Sequence, residues 1–295
     1  MSRILLFGCN GQVGWALARR LQRDFPLTAL DSADADFTRP EELRAVVRAA
    51  QPQVIINAAA YTAVDQAEDN AEAALAVNAR APAVLAEAAR GAGALLVHYS
   101  TDYVFDGTKG SPYTEDDPPS PLGVYGRSKL EGDLAIQESG AAYLIFRTQW
   151  VYGLRGRNFL LTMQRLLRER REVRVVGDQF GAPTWCGAIA AASAAILSGA
   201  GDDAAATLGG HSGLYNMTCG GETSWYGFAA AIRDRMAAAG EPVARLESIA
   251  SAEYPTRAAR PAHAVLDNTR LAETFGIGLP DWLEALDTAL AGAQD

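Results

Sequence analysis

Ile4-Leu5-Leu6-Phe7-Gly8-Cys9-Asn10-Gly11-Gln12-Val13-Gly14-Trp15-Ala16-Leu17-Ala18-Arg19-Arg20-Leu21 decides the fold. Four apolar residues in a row suit a strand buried on both faces. From Trp15 to Leu21 the apolar spacing becomes helical, and Gly8, Gly11 and Gly14 fill the turn between as GxxGxxG. Glycine permits a tight turn, lets the backbone approach a pyrophosphate, and packs helix against strand. The helix start then offers unpaired N–H groups to the anion. A strand-turn-helix context is what gives such a triplet meaning as a dinucleotide site, with Gly8 and the residues around it as cofactor contacts.

Outward from this unit the alternation continues. Residues 27–30 read as a second strand ending at Asp31, 41–50 as a helix, and 54–57 as a strand. Residues 71–90 read as one long helix, 95–100 as a strand, 125–139 as a helix and 143–147 as a strand. Strands alternating with helices give an α/β fold, a doubly wound parallel sheet of Rossmann type covered on both faces. After Trp150 the rhythm loosens, with a helix at 158–171, a strand at 173–176 and a Gly- and Ser-rich remainder. The expected organisation is a dinucleotide-binding domain at 1–150, with 185–218 returning to it. Residues 151–184 and 219–295 would form a smaller substrate-binding lobe, and 199–213 an exposed loop.

Composition narrows the class. The 295 residues are 49% hydrophobic with 21% charged, as in ordinary globular proteins. Thirty-five acids against 26 bases give a net charge of -9, which opposes nucleic-acid binding. The basic stretch Arg165-Leu166-Leu167-Arg168-Glu169-Arg170-Arg171 reads as one helix face. Cys9, Cys186 and Cys219 are odd in number and form neither a CxxC pair nor a zinc set with His98, His211 and His263. No segment has the length of a membrane span. Residues 4–7 are too short an apolar run for a secretory leader, so the expected location is cytoplasmic.

Tyr125-Gly126-Arg127-Ser128-Lys129 names a chemistry. YxxxK on a helix puts both side chains on one face. An ammonium beside a phenol favours phenolate and draws the Tyr125 pKa towards neutrality. The phenol can then protonate a carbonyl oxygen as hydride reaches the carbon. The plain alternative is a surface pair. The strand ending at 100 supplies Ser100 or Thr101 at its carboxyl end, where ligands bind in such sheets, to hold the substrate oxygen beside Tyr125. Asp31 is placed to accept from the adenosine ribose and to oppose a 2′-phosphate, or else it caps a turn. Asp36 and Phe37 are a loop acid and a core aromatic, or a cap over the adenine. Asp65 and Glu68, three apart, read as the solvated start of a helix.

Together with Asn57-Ala58-Ala59-Ala60, these parts resemble the extended short-chain dehydrogenase/reductase superfamily. The match narrows with Gly11-Gln12-Val13-Gly14-Trp15, Ala60-Tyr61-Thr62-Ala63-Val64-Asp65, and Ser100-Thr101-Asp102-Tyr103-Val104-Phe105-Asp106-Gly107. Arg147-Thr148-Gln149-Trp150-Val151-Tyr152-Gly153, Gly177-Asp178-Gln179-Phe180-Gly181-Ala182-Pro183-Thr184 and Tyr254-Pro255-Thr256 continue it in order. The set resembles the dTDP-4-dehydrorhamnose reductase family. That resemblance implies reduction of the C4 ketone of a nucleotide-linked 4-keto-6-deoxy sugar by NADPH or NADH, for dTDP-rhamnose and surface polysaccharide. It implies Tyr125 as proton donor, Lys129 on the nicotinamide ribose, and Thr101 steering the carbonyl. Thr101, Asp102 and Trp150 would touch the sugar nucleotide, unless Trp150 is core and Asp102 a turn former. Asn10 to Val13, Asp31, Asp36, Phe37, Ala60, Tyr61, Thr62, Tyr99, Tyr125 and Lys129 would line the cofactor.

The partner is then a small nucleotide sugar, with a homodimer as a possible assembly. Members that bind Mg²⁺ carry a Glu soon after the glycines, where Gly14-Trp15-Ala16-Leu17 has none, so no metal is expected. A 4,6-dehydratase needs Asp-Glu after the Thr, whereas Asp102 precedes Tyr103. The alternatives are a reductase of another nucleotide-linked 4-keto-6-deoxy sugar, or a non-catalytic regulatory homologue like that of methionine adenosyltransferase.

Overall fold

Ile4–Phe7 has every residue buried, and such a strand has to lie inside a sheet rather than at its margin. The computed structural model, which describes residues 1–292, places it so. In chain order the first half runs β1 (Ile4–Phe7), α1 (Gln12–Leu21), β2 (Leu27–Leu30), α2 (Pro40–Ala50), β3 (Val54–Asn57), α3 (Val64–Ala67) and α4 (Ala71–Leu75). Then come α5 (Ala81–Ala92), β4 (Leu95–Thr101), α6 (Val124–Glu138), β5 (Ala142–Thr148) and β6 (Val151–Tyr152). The second half runs α7 (Phe159–Glu169), β7 (Glu172–Val176), β8 (Phe180–Gly181), β9 (Thr184–Trp185), α8 (Cys186–Gly199), α9 (Ala204–Gly209) and β10 (Gly213–Asn216). It closes with β11 (Thr223–Ser224), α10 (Trp225–Ala238), β12 (Arg245–Ile249), α11 (Thr269–Phe275) and α12 (Trp282–Ala291).

Six strands form one parallel sheet in the order β10-β5-β4-β3-β1-β2. Chain order reverses beside β1, which lies between β2 and β3. The carboxyl ends there, Phe7 opposite Leu30 and Asn57, open a crevice of the kind that binds ligands in doubly wound sheets. Alternate residues of β1 serve opposite layers. Ile4 and Leu6 pack with Leu17 of α1 and Ile189 of α8, whereas Leu5 and Phe7 pack with Val47 of α2 and Leu85 of α5. A separate core joins α7, α10 and α12 around Leu160, Phe228 and Leu286, with β7 paired to β12.

Two stretches differ from the expected pattern. Residues 71–90 are not one helix: a π-helical turn, Ala76–Arg80, separates α4 from α5. Pro82 has no N–H for the carbonyl of Asn78 and its ring would crowd that oxygen, so the ladder widens. The freed carbonyl faces Gly132 of α6, where an added Cβ would sit 2.1 Å from it. Residues 199–213 are not an exposed loop. Asp203 caps α9 by accepting from the Ala206 N–H (3.0 Å), and Ala204 and Leu208 are buried in the main core.

Candidate active site

The turn after β1 is a cradle with no spare volume. A Cβ on Gly14 would lie 2.1 Å from the Gly8 carbonyl oxygen, and one on Gly8, at φ +82°, would lie 2.6 Å from the Ala59 nitrogen. Helix α1 starts after Gly11 with no side-chain cap and no acid in its first turn, which leaves its N–H groups for an anion. These residues fit a dinucleotide pyrophosphate. Gln12 ties the turn to the second half of the chain, accepting from Asn158 Nδ2 (2.8 Å) and donating to the Val151 carbonyl (3.4 Å). Val13 packs on the main core. Asn10 Nδ2 donates to Asp31, whose other oxygen accepts from the Ala33 N–H (2.7 Å). Asp31 therefore shapes its own turn at the rim of the crevice. Asp36 accepts from the Thr38 N–H and hydroxyl (2.8 and 2.7 Å), bonds that hold its carboxyl below the usual value. Phe37 sets its edge against Phe7, centroids 5.6 Å apart.

Ala60, Tyr61 and Thr62 follow β3, and the main chain of Tyr61 is gripped from the π turn. Asn78 accepts from the Tyr61 N–H (2.8 Å) and donates to both its carbonyl and the Ser128 hydroxyl (3.0 Å each). One side chain thus registers the loop after β3 against α6. Its only trace in the sequence is Pro82, four residues on.

At the end of β4, Thr101 and Asp102 meet α6. Gly126 lets α6 come close, since a Cβ there would lie 2.2 Å from the Tyr103 carbonyl oxygen. Tyr125 packs edge-on against Tyr103 (5.4 Å, 77°), on the side of α6 that meets Thr101. Burial pushes Tyr125 up to about 12, against the downward pull of Thr101. That corrects the expectation that Lys129 draws the phenol towards neutrality. The Lys129 amine is instead engaged by the Tyr99 carbonyl (2.7 Å) and by His98 Nε2 (3.0 Å). Burial brings Lys129 down to about 8 and holds His98 well below its usual value. Tyr99 accepts from Lys129 through its carbonyl while its ring is core, the hydroxyl paired with Ser193 at 2.7 Å. Behind them Asp133, fully buried, accepts from Ser100 Oγ (2.7 Å) and faces Arg147 Nε at 3.7 Å.

Trp150 has φ +45°, a left-handed conformation that costs a bulky residue and clusters at functional sites. Its ring stacks on Trp225 at 3.6 Å, and Gly181 leaves room for it. Trp225, with Phe159, Val175, Tyr254 and Arg260, lines a groove of about 550 Å³ on the second core.

Asp65 and Glu68 are not a solvated helix start. Glu68 accepts from the Val124 N–H (2.8 Å), capping α6 from outside. Asp65 takes Arg260 bidentately (3.1 and 2.8 Å) and the Ala258 N–H (3.1 Å), and Arg257 pairs with Asp69. Helix α6 and the 257–260 segment are thereby fixed from the short helix α3 and the residues just after it. Replacing Asp65 with Ala is expected to cost about 1 kcal/mol, read as a lowered Tm. Because Arg260 holds the Asp65 pKa below its usual 3.8, this contribution is present above that value and fades as pH falls through the folded-state pKa. The wild-type advantage in Tm should shrink accordingly in acid.

Ala16 is buried in the main core. Among the described residues no group of three or more His, Cys, Asp and Glu is arranged to hold a metal, and no helix is long and apolar enough to cross a membrane.

A parallel sheet with a glycine cradle at its reversal and a Thr–Tyr–Lys constellation at its carboxyl edge defines an oxidoreductase of the extended short-chain dehydrogenase/reductase class. The family described as RmlD substrate binding domain matches residues 1–294, and the dTDP-4-dehydrorhamnose reductase of Burkholderia thailandensis is 52% identical over 288 residues, 96% of each chain. The chain belongs to the dTDP-4-dehydrorhamnose reductase family. The Escherichia coli K12 reductase of that name is 44% identical over 285 residues, 95% of this chain and 94% of its own. The Bacillus anthracis reductase, solved in complex with NADP, superposes with a TM-score of 0.90 at 32% identity over 99% of each chain.

Proposed function

We propose that this chain reduces the C4 ketone of dTDP-4-dehydro-L-rhamnose to dTDP-L-rhamnose, a precursor for surface polysaccharide, in the cytoplasm and as a homodimer. The observation that carries the reading is the meeting of Thr101, Tyr125 and Lys129 at the end of β4, beside the glycine cradle, in a chain of this family. NAD(P)H supplies hydride to the sugar C4 when bound. Gly8, Gly11 and the first N–H groups of α1 hold its pyrophosphate, Asp31 its adenosine ribose, and Lys129 its nicotinamide ribose. Thr101 orients the carbonyl and Tyr125 protonates its oxygen. Asp102 and Trp150 flank the sugar, and the groove at Trp225 takes the nucleotide. Residues 1–150 with 185–218 serve the cofactor, and 151–184 with 219–295 serve the sugar nucleotide. A separate core under α7, α10 and α12 supports that division.

The test is oxidation of NADH and of NADPH with enzymatically prepared dTDP-4-dehydro-L-rhamnose. Rapid turnover is expected. Its absence despite tight cofactor binding would overturn the substrate assignment and turn attention to other keto sugars or to a binding role. Two carboxylates at the rim, Asp31 and Asp34, bonded through the Asp31 N–H (3.1 Å), repel a 2′-phosphate. NADH should be preferred. Asp31→Ser should move the kcat/KM ratio towards NADPH by about tenfold, equivalent to about 1.4 kcal/mol.

A further inference from the structure

A phenol that gives its proton to the substrate has to be refilled, and the hydrogen bonds behind Tyr125 contain a route. Thr101 Oγ1 donates to Asp102 Oδ1 (3.1 Å), accepts from the Tyr103 N–H (3.2 Å), and bears on the Tyr125 phenol, whose pKa it pulls down. Asp102 Oδ2 accepts from Gln149 Nε2 (2.8 Å). Gln149 also donates to the Ala264 carbonyl (2.9 Å) and accepts from the Ala182 N–H (2.7 Å), so its amide cannot turn over without setting oxygen against oxygen and N–H against N–H. Oδ2 therefore always faces an N–H, and a proton on Asp102 has to sit on Oδ1, the oxygen that meets Thr101.

A hydroxyl has one proton and two acceptor positions. With Asp102 ionised, Thr101 donates to Asp102 and accepts from Tyr103, and its second acceptor position is open to Tyr125. With Asp102 protonated, Oδ1–H donates to Thr101, whose own proton turns to the Tyr125 oxygen. Every partner is satisfied in both patterns, and they differ only in where one proton lies.

We infer that Asp102 is the proton store that refills Tyr125 through Thr101, an inference that rests on the reductase reading above. As the Tyr125 O–H bond re-forms, the Thr101 O–H bond breaks; Thr101 takes the proton from Asp102 Oδ1, leaving Asp102 as carboxylate. Solvent water returns that proton after product leaves, and no electrons move. Asp102 is suited to storage because burial lifts it to about 7, against the Gln149 and Thr101 bonds that lower it. The titratable groups that feel its charge are Tyr103 on its own turn and Tyr125 on α6. Arg260, from the segment opposite, bears on Tyr103. Lys129, one turn along α6, is engaged by Tyr99 and His98.

The experiment combines kcat against pH, for NADH with dTDP-4-dehydro-L-rhamnose, with infrared spectra of the protein alone. Wild-type kcat should fall as pH rises through about 7, because the protonated store is the active form. Asp102→Asn should lose about 10²-fold in kcat and lose that inflection, with NADH binding retained. Thr101→Val should also lose the inflection, and Thr101→Ser should keep it. The wild-type spectrum should show a carboxylic-acid band that titrates away near neutrality and is missing in Asp102→Asn. An inflection that survives Asp102→Asn, a change in KM alone, or no such band in acid would overturn the relay while leaving the reductase reading intact. No wild-type turnover would overturn that reading and the relay with it.

Discussion

Tyr125→Phe should lower kcat by about 10²- to 10⁴-fold, the range for losing a positioned general acid. The substitution removes one oxygen. The ring keeps its edge-on contact with Tyr103, 5.4 Å away, and the α6 backbone keeps its cap from Glu68. Thr101 still has the Tyr103 N–H and Asp102 as partners, so no buried polar atom is stranded. The loss should therefore appear in kcat, with the cofactor dissociation constant unchanged by fluorescence titration. A fall of less than tenfold would show that another group delivers the proton, and the assignment of Tyr125 would fail.

Arg147→Met is the largest expected change in stability. Arg147 is 2% exposed and its Nε lies 3.7 Å from Asp133 Oδ2, a carboxylate with no exposed surface. The guanidinium also rests on the Phe105 ring at 5.2 Å. Breaking a buried pair strands the remaining charge and costs about 3–5 kcal/mol. Asp133 would keep the Ser100 hydroxyl, 2.7 Å away, and the influence of Lys129. Burial already raises the Asp133 pKa above the ordinary carboxylate value with Arg147 in place, and removing Arg147 raises it further. A raised carboxyl pKa means the folded state holds its proton more firmly, so stability falls as pH climbs from the unfolded value to the folded one. The deficit by urea denaturation should be small in acid and full at neutral pH. Asp133→Leu added to Arg147→Met should recover much of it, because apolar residues of similar volume can replace a buried pair. Equal deficits at both pH values would contradict this account.

The parts of the fold that were plain in the sequence are those set by a single period. The strands β1, β3 and β4 open on the apolar runs Ile4–Phe7, Val54–Ile56 and Leu95–Val97 because both their faces are covered. Tyr125 and Lys129 were legible because the i, i+4 rule places them on one face of α6 without tertiary information. The supporting residues were not. Asn78, His98, Gln149 and Asp133 reach the site from separate elements, with partners 17 to 50 positions away in the chain. Nothing in local spacing brings them together. Glu68 and Asp65 sit where surface acids would, yet their partners, Val124 and Arg260, lie 56 and 195 residues away. The Lys129 environment was misjudged for the same reason, since His98 looked like one more strand residue. At 199–213 small residues suggested a loop, but Asp203 caps and alanine propagates a short helix whose inner face Leu208 buries.

The π turn at Ala76–Arg80 also makes the number of residues between Ala71 and Ala92 something selection cannot change freely. Each residue advances an α-helix by about 100°. A single deletion in that turn would carry α4 round by that angle relative to α5. Asn78 would then point away from Tyr61, and the carbonyl now seated on Gly132 would lose its place. Substitutions on the outer face are cheap by comparison. Members of the family should therefore drift in composition along this helix while keeping its length, and a one-residue deletion scan should find here a gap penalty that the surface loops do not impose.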